Sequence, residues 1–573
     1  MIYKIDINYK KYRIIILNYI YLVIMMKSFR VEHTSKVMPD VNIPIDKEQK
    51  YGVLCLEIDS SEIQHEEPIL FHIMLDVSGS MSDIVSCNRS KMQLLKHTIT
   101  NMIHYFAENC NNIYIDIKGF DDKIHNYIES TLVTKTNVDD LLNKLHSMRP
   151  MNSTNIELAL DTLKSNIESG DQNMRHVSIL LTDGHPTCGS MDPKDLVENV
   201  MKNKDYHFIA IGNDHNAKLM NTLGNVDPKT NNWFINEIEH TGNVYGEIIF
   251  NETNMLYENN EIISRNASIY DYRKGEFVSS LAIGNLAKEL NKEYHVLIDD
   301  INNYEINLQG LDVNKKKSYK ITAANCFPQT LQNEDLCSKE SLKELLDLDD
   351  SNTLFVIKHY LRLCVQKALF SIRNDLEKND SLIDEQPTFI FRIPKIKRGA
   401  NKQRKELYKV VHQVKKAIQQ FAESNNLGKD EFIIGLLNDL NVAINSQHME
   451  DQYTHISARE DTQGKQTAFN TASQLEVDPE NFDNMQRPVL SRDVSAYTTP
   501  SRTKIMREMS ASHYDDEIFD NGRFPLPPSK YNSKIEDLDG GLFDQIQRTS
   551  PRRSNRKRSP AIEEDIEFSD ASP

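Results

Sequence analysis

The sequence predicts an α/β fold class: a doubly wound, mostly parallel sheet followed by a β-sandwich, a helical bundle and a disordered tail. Three observations carry the prediction. Between about residues 45 and 250, short apolar runs alternate with amphipathic helical stretches, the pattern of a parallel sheet covered by helices on both faces. From 251 to 335 the helical period gives way to short alternating runs, and from 338 to 446 it returns. Beyond 447 the apolar content falls away. A chain of 573 residues, 39% hydrophobic and 26% charged, is also too long for one core and ample for several.

Residues 1–25 stand outside these units. After Lys10 and Lys11 comes "RIIILNYIYLVIMM", whose apolar run from Ile14 to Met26 is about 13 residues long, where a bilayer needs roughly 20. No small-residue cleavage site follows. The first 24 residues are almost wholly Ile, Tyr, Lys, Asn, Leu and Asp, the amino acids that AT-rich untranslated DNA encodes. The segment is expected to be either an upstream extension, with Met25 or Met26 as the true start, or a weak hydrophobic anchor. An N-terminal peptide of the native protein separates the two.

Within 45–250, with its core at 68–250, five runs are expected strands of the sheet: "YGVLCLEI", "ILFHIMLD", "IYIDIKGF", "HVSILLTD" and "YHFIAIG". Each is rich in β-branched or aromatic residues and bounded by Asp, Gly or Asn. Helices fill the gaps. In "SKMQLLKHTITNMIHYFAENC", Met92, Leu95, Ile99, Met102, Ile103 and Phe106 form a 3.6-residue stripe. "STNIELALDTLKSNIES" and "DPKDLVENVMKN" follow the same logic, the second with Asp192 and Pro193 placed as N-cap and N1.

The runs "EIISRNASIYDY", "EFVSSLAIGNL", "EYHVLIDD", "YEINLQGLDV" and "SYKITAA" make up the expected β-sandwich of 251–335. In 338–446, Leu354, Ile357, Leu361, Cys364, Ala368 and Ile372 share one helical face, and Leu407, Val411, Val414, Ile418 and Phe421 share another. From 447 to 573 Ser, Thr, Gln, Asp, Arg and Pro dominate, so ordering entropy is expected to win. In this tail "RDVSA" at 492 and "REMSA" at 507 repeat, as docking motifs or by chance.

A formal net charge of −17 argues against general affinity for nucleic acid or an anionic membrane. The seven cysteines are scattered and form no C-x-x-C pair, which suggests neither a disulfide framework nor a zinc module and favours a reducing, cytoplasmic setting. The tail's "SPRRSNRKRSP", with basic residues over 552–558, reads as a nuclear-import signal, an electrostatic dock or a solvated charge run. Thr499, Ser550, Ser559 and Ser572 each precede a proline and could accept phosphate, which would offset that charge.

Candidate chemistry lies at the strand ends. In "FHIMLDVSGSMSD" a buried strand runs into Asp76, Ser78 and Ser80, whose oxygens alternate along one loop and can converge on one point. Doubly wound sheets bind ligands at the carboxyl ends of their strands. Small hard oxygen donors suit Mg²⁺ or Mn²⁺, and a shell of about six oxygens needs more than one loop. Two further loops supply them: Thr154 in "RPMNSTNIELAL" and Asp183 in "ILLTDGHPT".

D-x-S-x-S, then a Thr-bearing loop, then T-D-G at a strand end resembles the von Willebrand factor type A domain, a Rossmann-like fold, with its metal-ion-dependent adhesion site (MIDAS) complete. The resemblance implies that Ser78, Ser80 and Thr154 bind the ion directly and that Asp76 and Asp183 act through bound water. It leaves the sixth position to a carboxylate from a partner protein. Asn152 and Ser153 stand where glycine is common in the family, and His185 either lends the rim a pH-dependent charge or is an ordinary loop residue. The stretch "SIYDYRKGEFVSSLAIGNLAKELNKEYHVLI" resembles, more loosely, the β-sandwich that follows type A domains in proteins of protists and giant DNA viruses. Many of those relatives carry a RING or U-box module; no cysteine and histidine series for a RING is present here.

No G-x-x-x-x-G-K-[ST] or kinase-type glycine loop cradles phosphate, and no G-x-S-x-G elbow presents a serine, so no enzyme activity is expected. The expected function is a metal-dependent protein-interaction scaffold whose divalent cation captures an acidic side chain. The alternatives are an accessory, substrate-presenting subunit of a ubiquitin-pathway or other multi-subunit machine, and a virion component.

Overall fold

The computed structural model describes residues 28–33, 49–59, 67–86, 89–212, 215–235, 241–314, 316–325, 339–380, 398–447, 452–466 and 499–510. The segment 1–25, the "RDVSA" copy, the 552–558 basic run, Ser550, Ser559 and Ser572 lie outside the described residues.

One six-stranded sheet runs in the order Thr230–Ile235, Asp205–Ile211, Arg175–Thr182, Ile69–Asp76, Ile113–Phe120, Ile124–Leu132. All neighbours are parallel except the last pair, a hairpin at one edge. Because side chains alternate across a strand, each central strand feeds two cores. Phe71, Ile73 and Leu75 enter one with Ile179, Leu181, Ile209 and the whole expected stripe of the helix Lys91–Asn109. Met74, Leu180, Phe208 and Ala210 enter the other with Ile156, Leu160 and Leu163 of the helix Ile156–Ser169. Burial on both faces is why these strands read as unbroken apolar runs.

"YGVLCLEI" departs from expectation. The strand Lys50–Ile58 belongs to a different sheet, paired antiparallel with Ser28–His33 on one side and Leu290–Ile298 on the other. Its Leu54, Leu56 and Ile58 join an apolar cluster that draws on this sheet and on the four-stranded sheet of 255–322. Its Tyr51, Val53 and Cys55 face the helices Lys339–Asp380, Arg398–Ser424 and Glu431–Asn445. A strand covered on both faces has the same apolar signature whichever sheet it joins, so periodicity could not assign it. The doubly wound unit, 69–253, is therefore inserted in the chain between Ile58 and Met255, strands of the two-sheet unit.

The stretch after 447 also differs from expectation. Helices Gln452–Lys465 and Pro500–Ser510 pack onto the folded part. Beside a few buried apolar residues such as Ile456 and Ala458, polar pairing holds them: Arg459 donates to Asp439 at 2.9 Å, Gln463 to the same carboxylate at 2.6 Å, and Asn221 to Tyr453 at 3.1 Å. A composition argument counts such residues as solvated. Ile505 and Met509 reach the core of the doubly wound unit, so "REMSA" begins inside a docked helix. Thr499, one of the Thr-Pro and Ser-Pro acceptors, accepts from the Arg502 N–H at 3.4 Å at the start of that helix.

Candidate metal centre

Asp76 ends its strand beside Phe120 of the neighbouring strand, and the chain then turns through Ser78 into a short 3-10 turn, Gly79–Ser82. Asp76 is fully buried, and both its oxygens are engaged: Ser78 N–H donates to Oδ1 at 2.8 Å and the Thr182 hydroxyl to Oδ2 at 2.7 Å. Ser78 Oγ and Ser80 Oγ lie 3.1 Å apart. The Thr154 loop is sewn to this one by backbone hydrogen bonds, Met151 N–H to the Val77 carbonyl at 2.7 Å and Gly79 N–H to the Asn152 carbonyl at 3.1 Å. The Asp183 loop closes the third side, since Thr154 N–H donates to the Thr187 hydroxyl at 2.8 Å and Thr187 N–H returns to the Thr154 carbonyl at 2.9 Å. Asp76, Ser78, Ser80, Thr154 and Asp183 are thus carried by three loops joined to one another.

Burial pushes the Asp76 carboxyl up to about 6, against the hydrogen bonds from Ser78 and Thr182 and with a further push from the charge of Asp183. A cation of the chain's own answers Asp183. Lys91 is almost fully buried and its Nζ lies 3.3 Å from Asp183 Oδ2. It is the first residue of the helix Lys91–Asn109, started by a capping box in which Ser90 and Gln93 satisfy each other's backbone N–H. A lysine at a helix N-terminus opposes the helix dipole. The Asp183 carboxylate offsets that cost and fixes the ammonium at the site.

Residues 72–245 match the family model of the von Willebrand factor type A domain. This segment is a type A domain. No curated protein matches the chain. Among solved structures, the chain is similar to a von Willebrand factor type A protein from Catenulispora acidiphila, at 13% identity and a TM-score of 0.39 over 62% of this chain and 82% of that one. It is similar to the ArnB paralog VWA2 from Sulfolobus acidocaldarius, at 15% identity and a TM-score of 0.43 over 78% and 98%. A third likeness is to the pilus adhesin SpaC from Lactobacillus rhamnosus, at 11% identity and a TM-score of 0.28 over 51% and 47%.

Several residues that shape this face of the type A domain escaped the sequence analysis. Asp121, one residue past the strand Ile113–Phe120, is buried and accepts from Lys123 N–H, His125 Nε2 and Asn152 Nδ2. Its carbonyl also accepts from Asn155 N–H, so it anchors both ends of the Thr154 loop. The signal was present: "GFDD" ends a strand in carboxylates as "IMLD" does. Asn152 has φ +57°, the left-handed region, which accounts for an asparagine where glycine is common. Thr182 stands in the T-D-G motif, which marked the strand end but not its hydrogen bond to Asp76, and Lys91 left no sign, because its partner is distant in sequence. His185 is exposed, and its N–H lies 3.5 Å from Asp183 Oδ1.

Proposed function

We propose that the type A domain of this protein holds a divalent cation, Mg²⁺ or Mn²⁺, at Asp76, Ser78, Ser80, Thr154 and Asp183, and captures through it an acidic side chain of a partner protein. The observation that carries the proposal is the pair of serine hydroxyls 3.1 Å apart at the junction of three strand-end loops. Neighbouring ligands of an octahedral ion with bonds of roughly 2.1 Å stand about 3 Å apart. The remaining donors are oxygens as well, which suits a hard cation. Ser78, Ser80 and Thr154 would ligate the ion, and the two carboxylates would hold its bound water. Asp76 is already oriented for this by Ser78 N–H and Thr182. The ion supplies a positive centre to which a partner's Asp or Glu can bind. The chemistry assigned to this set is binding. Type A domains generally mediate protein interactions, in keeping with this role.

Calorimetric titration of Mg²⁺ and Mn²⁺ into the full chain tests it, wild type beside Asp76→Ala and Thr154→Ala. Saturable binding by the wild type, lost in both variants, is expected. An acidic peptide library should then be retained with metal and released by EDTA. A folded wild type that binds neither ion overturns the proposal.

A further inference from the structure

At the other end of the strands from Asp76 and Asp183, the type A domain, the two-sheet unit and the late helices meet around a cavity of about 130 Å³. Its walls carry an unusual concentration of cations. Lys292 projects from the strand Leu290–Ile298, Arg273 from the turn after the strand Ala267–Asp271, Lys465 from the end of the helix Gln452–Lys465, and Arg502 from the helix Pro500–Ser510. The end of the first helix is pinned there, because Gln466 exchanges two hydrogen bonds of 2.9 Å with the Glu293 backbone, as a neighbouring strand would.

The carboxylates on the walls are largely committed. Asp205 and Glu252 pair with Arg175, and Glu252 also with His207. Asp271 lies 3.5 Å from Lys274 and accepts from the Arg273 N–H. Glu247 Oε1 stands 3.6 Å from Arg502, while its Oε2 is buried with no hydrogen-bond partner among the described residues. Among the described residues no carboxylate lies within ion-pair distance of Lys292. Among the same residues Lys465 reaches only Asp461, at 3.9 Å, and its buried Nζ has no hydrogen-bond partner. Arg273 Nε and Arg502 Nε are buried and unpartnered too. Burial, and then the charges of Arg502, Lys465 and Arg273, push the Lys292 ammonium down to about 8, against the pull of Glu247. Crowding cations in a low-dielectric space is costly where their carboxylate partners are few and distant, as Asp461 and Glu247 are here, and an anion with several acceptor oxygens reduces the cost.

We propose that this cavity is a binding site for a small phosphate-bearing anion, held by Lys292, Lys465, Arg273 and Arg502. A partly open cavity of this volume admits a phosphate or a pyrophosphate. Two of the four cations come from the two late helices, so the anion also ties those helices to the body of the protein. The site stands apart from the metal centre, and neither proposal depends on the other.

The test is thermal melting of the full chain in metal-free buffer with inorganic phosphate, with pyrophosphate, or with chloride at matched ionic strength. A Lys292→Met, Lys465→Met double variant is run beside the wild type. At about 100-fold excess over its dissociation constant, either phosphate probe should raise the wild-type midpoint by roughly 2 °C or more beyond chloride. It should also slow amide exchange in 452–466 and 499–510. The double variant should melt at or above the wild type without phosphate, because repulsion has been removed, and should not respond to the probes. A wild type that responds to phosphate no more than to chloride, or a double variant that responds as the wild type does, overturns the site.

Discussion

At the scale of single residues, the candidate metal centre is a compromise between two buried carboxylates and one buried ammonium. Lys91 lies 3.3 Å from Asp183, and removing it takes that ion pair from the buried carboxylate. Lys91→Met should destabilise the metal-free protein by about 1–3 kcal/mol, the usual cost of orphaning a buried polar group. A bound divalent cation supplies replacement charge, so the loss should shrink when Mg²⁺ is added, as urea denaturation with and without the ion will record. An equal loss in both conditions would mean that Lys91 serves only the fold. Most of the candidate site was legible in the sequence, since Asp76, Ser78, Ser80, Thr154 and Asp183 fall in short motifs at strand ends. Lys91 and Thr182 act on those residues across loops, and such contacts leave no local pattern, whereas Asp121 follows its strand as visibly as Asp76 ends its own.

At the scale of elements, the helix Pro500–Ser510 shows how a polar segment is held. It packs on the helix Thr241–Thr253 of the type A domain, with Asn101 donating to the Met509 carbonyl at 2.7 Å and Arg502 to Asn251 at 3.0 Å. The approach is close because residue 246 is glycine. A Cβ there would lie 2.7 Å from Met506 Cγ, 2.8 Å from its Cα and 2.9 Å from its N. Backbone cannot give way as a side-chain tip can, so Gly246→Ala should lift the late helix. Amide exchange or proteolysis across 500–510 should accelerate several-fold while Mg²⁺ binding at the far end of the domain is kept. Unchanged protection would show that the helix shifts to accommodate the methyl group.

At the scale of the whole molecule, acid sensitivity follows from histidines that fold without a proton. Burial lowers His33 to about 4, with Lys50 adding to the effect. Burial and then the Arg362 charge push His295 and His359 well below their ordinary value of 6.5. In the unfolded chain all three take up protons near 6.5, and in the folded chain they do so only at lower pH. At these three sites the unfolded state therefore binds more protons as pH falls below about 6.5, and each lowers stability by up to about 1.4 kcal/mol per pH unit, while the buried carboxyls of Asp76 and Asp205, raised to about 6, act in the opposite sense. His359 lies between Phe355 and Phe432, tilted against the first and edge-on to the second, with ring centroids 4.5 and 5.0 Å away. His359→Phe should keep that packing and flatten the loss of stability between pH 6.5 and 5 in urea titrations. A variant with the wild-type slope would mean that another group governs acid unfolding.

The sequence alone determined the doubly wound sheet, its helical stripes and the oxygen-rich loops at its carboxyl end, because burial on two faces, the 3.6-residue period and short polar motifs are local signals. Only the tertiary structure decided that "YGVLCLEI" belongs to another sheet, that the type A domain is inserted within a two-sheet unit, and that polar helices from the late segment close a cation-lined cavity at the junction. Each of these depends on partners brought together from far along the chain. An apolar strand is the same string of residues in either sheet, and a buried arginine looks like a solvated one until its carboxylate is in view.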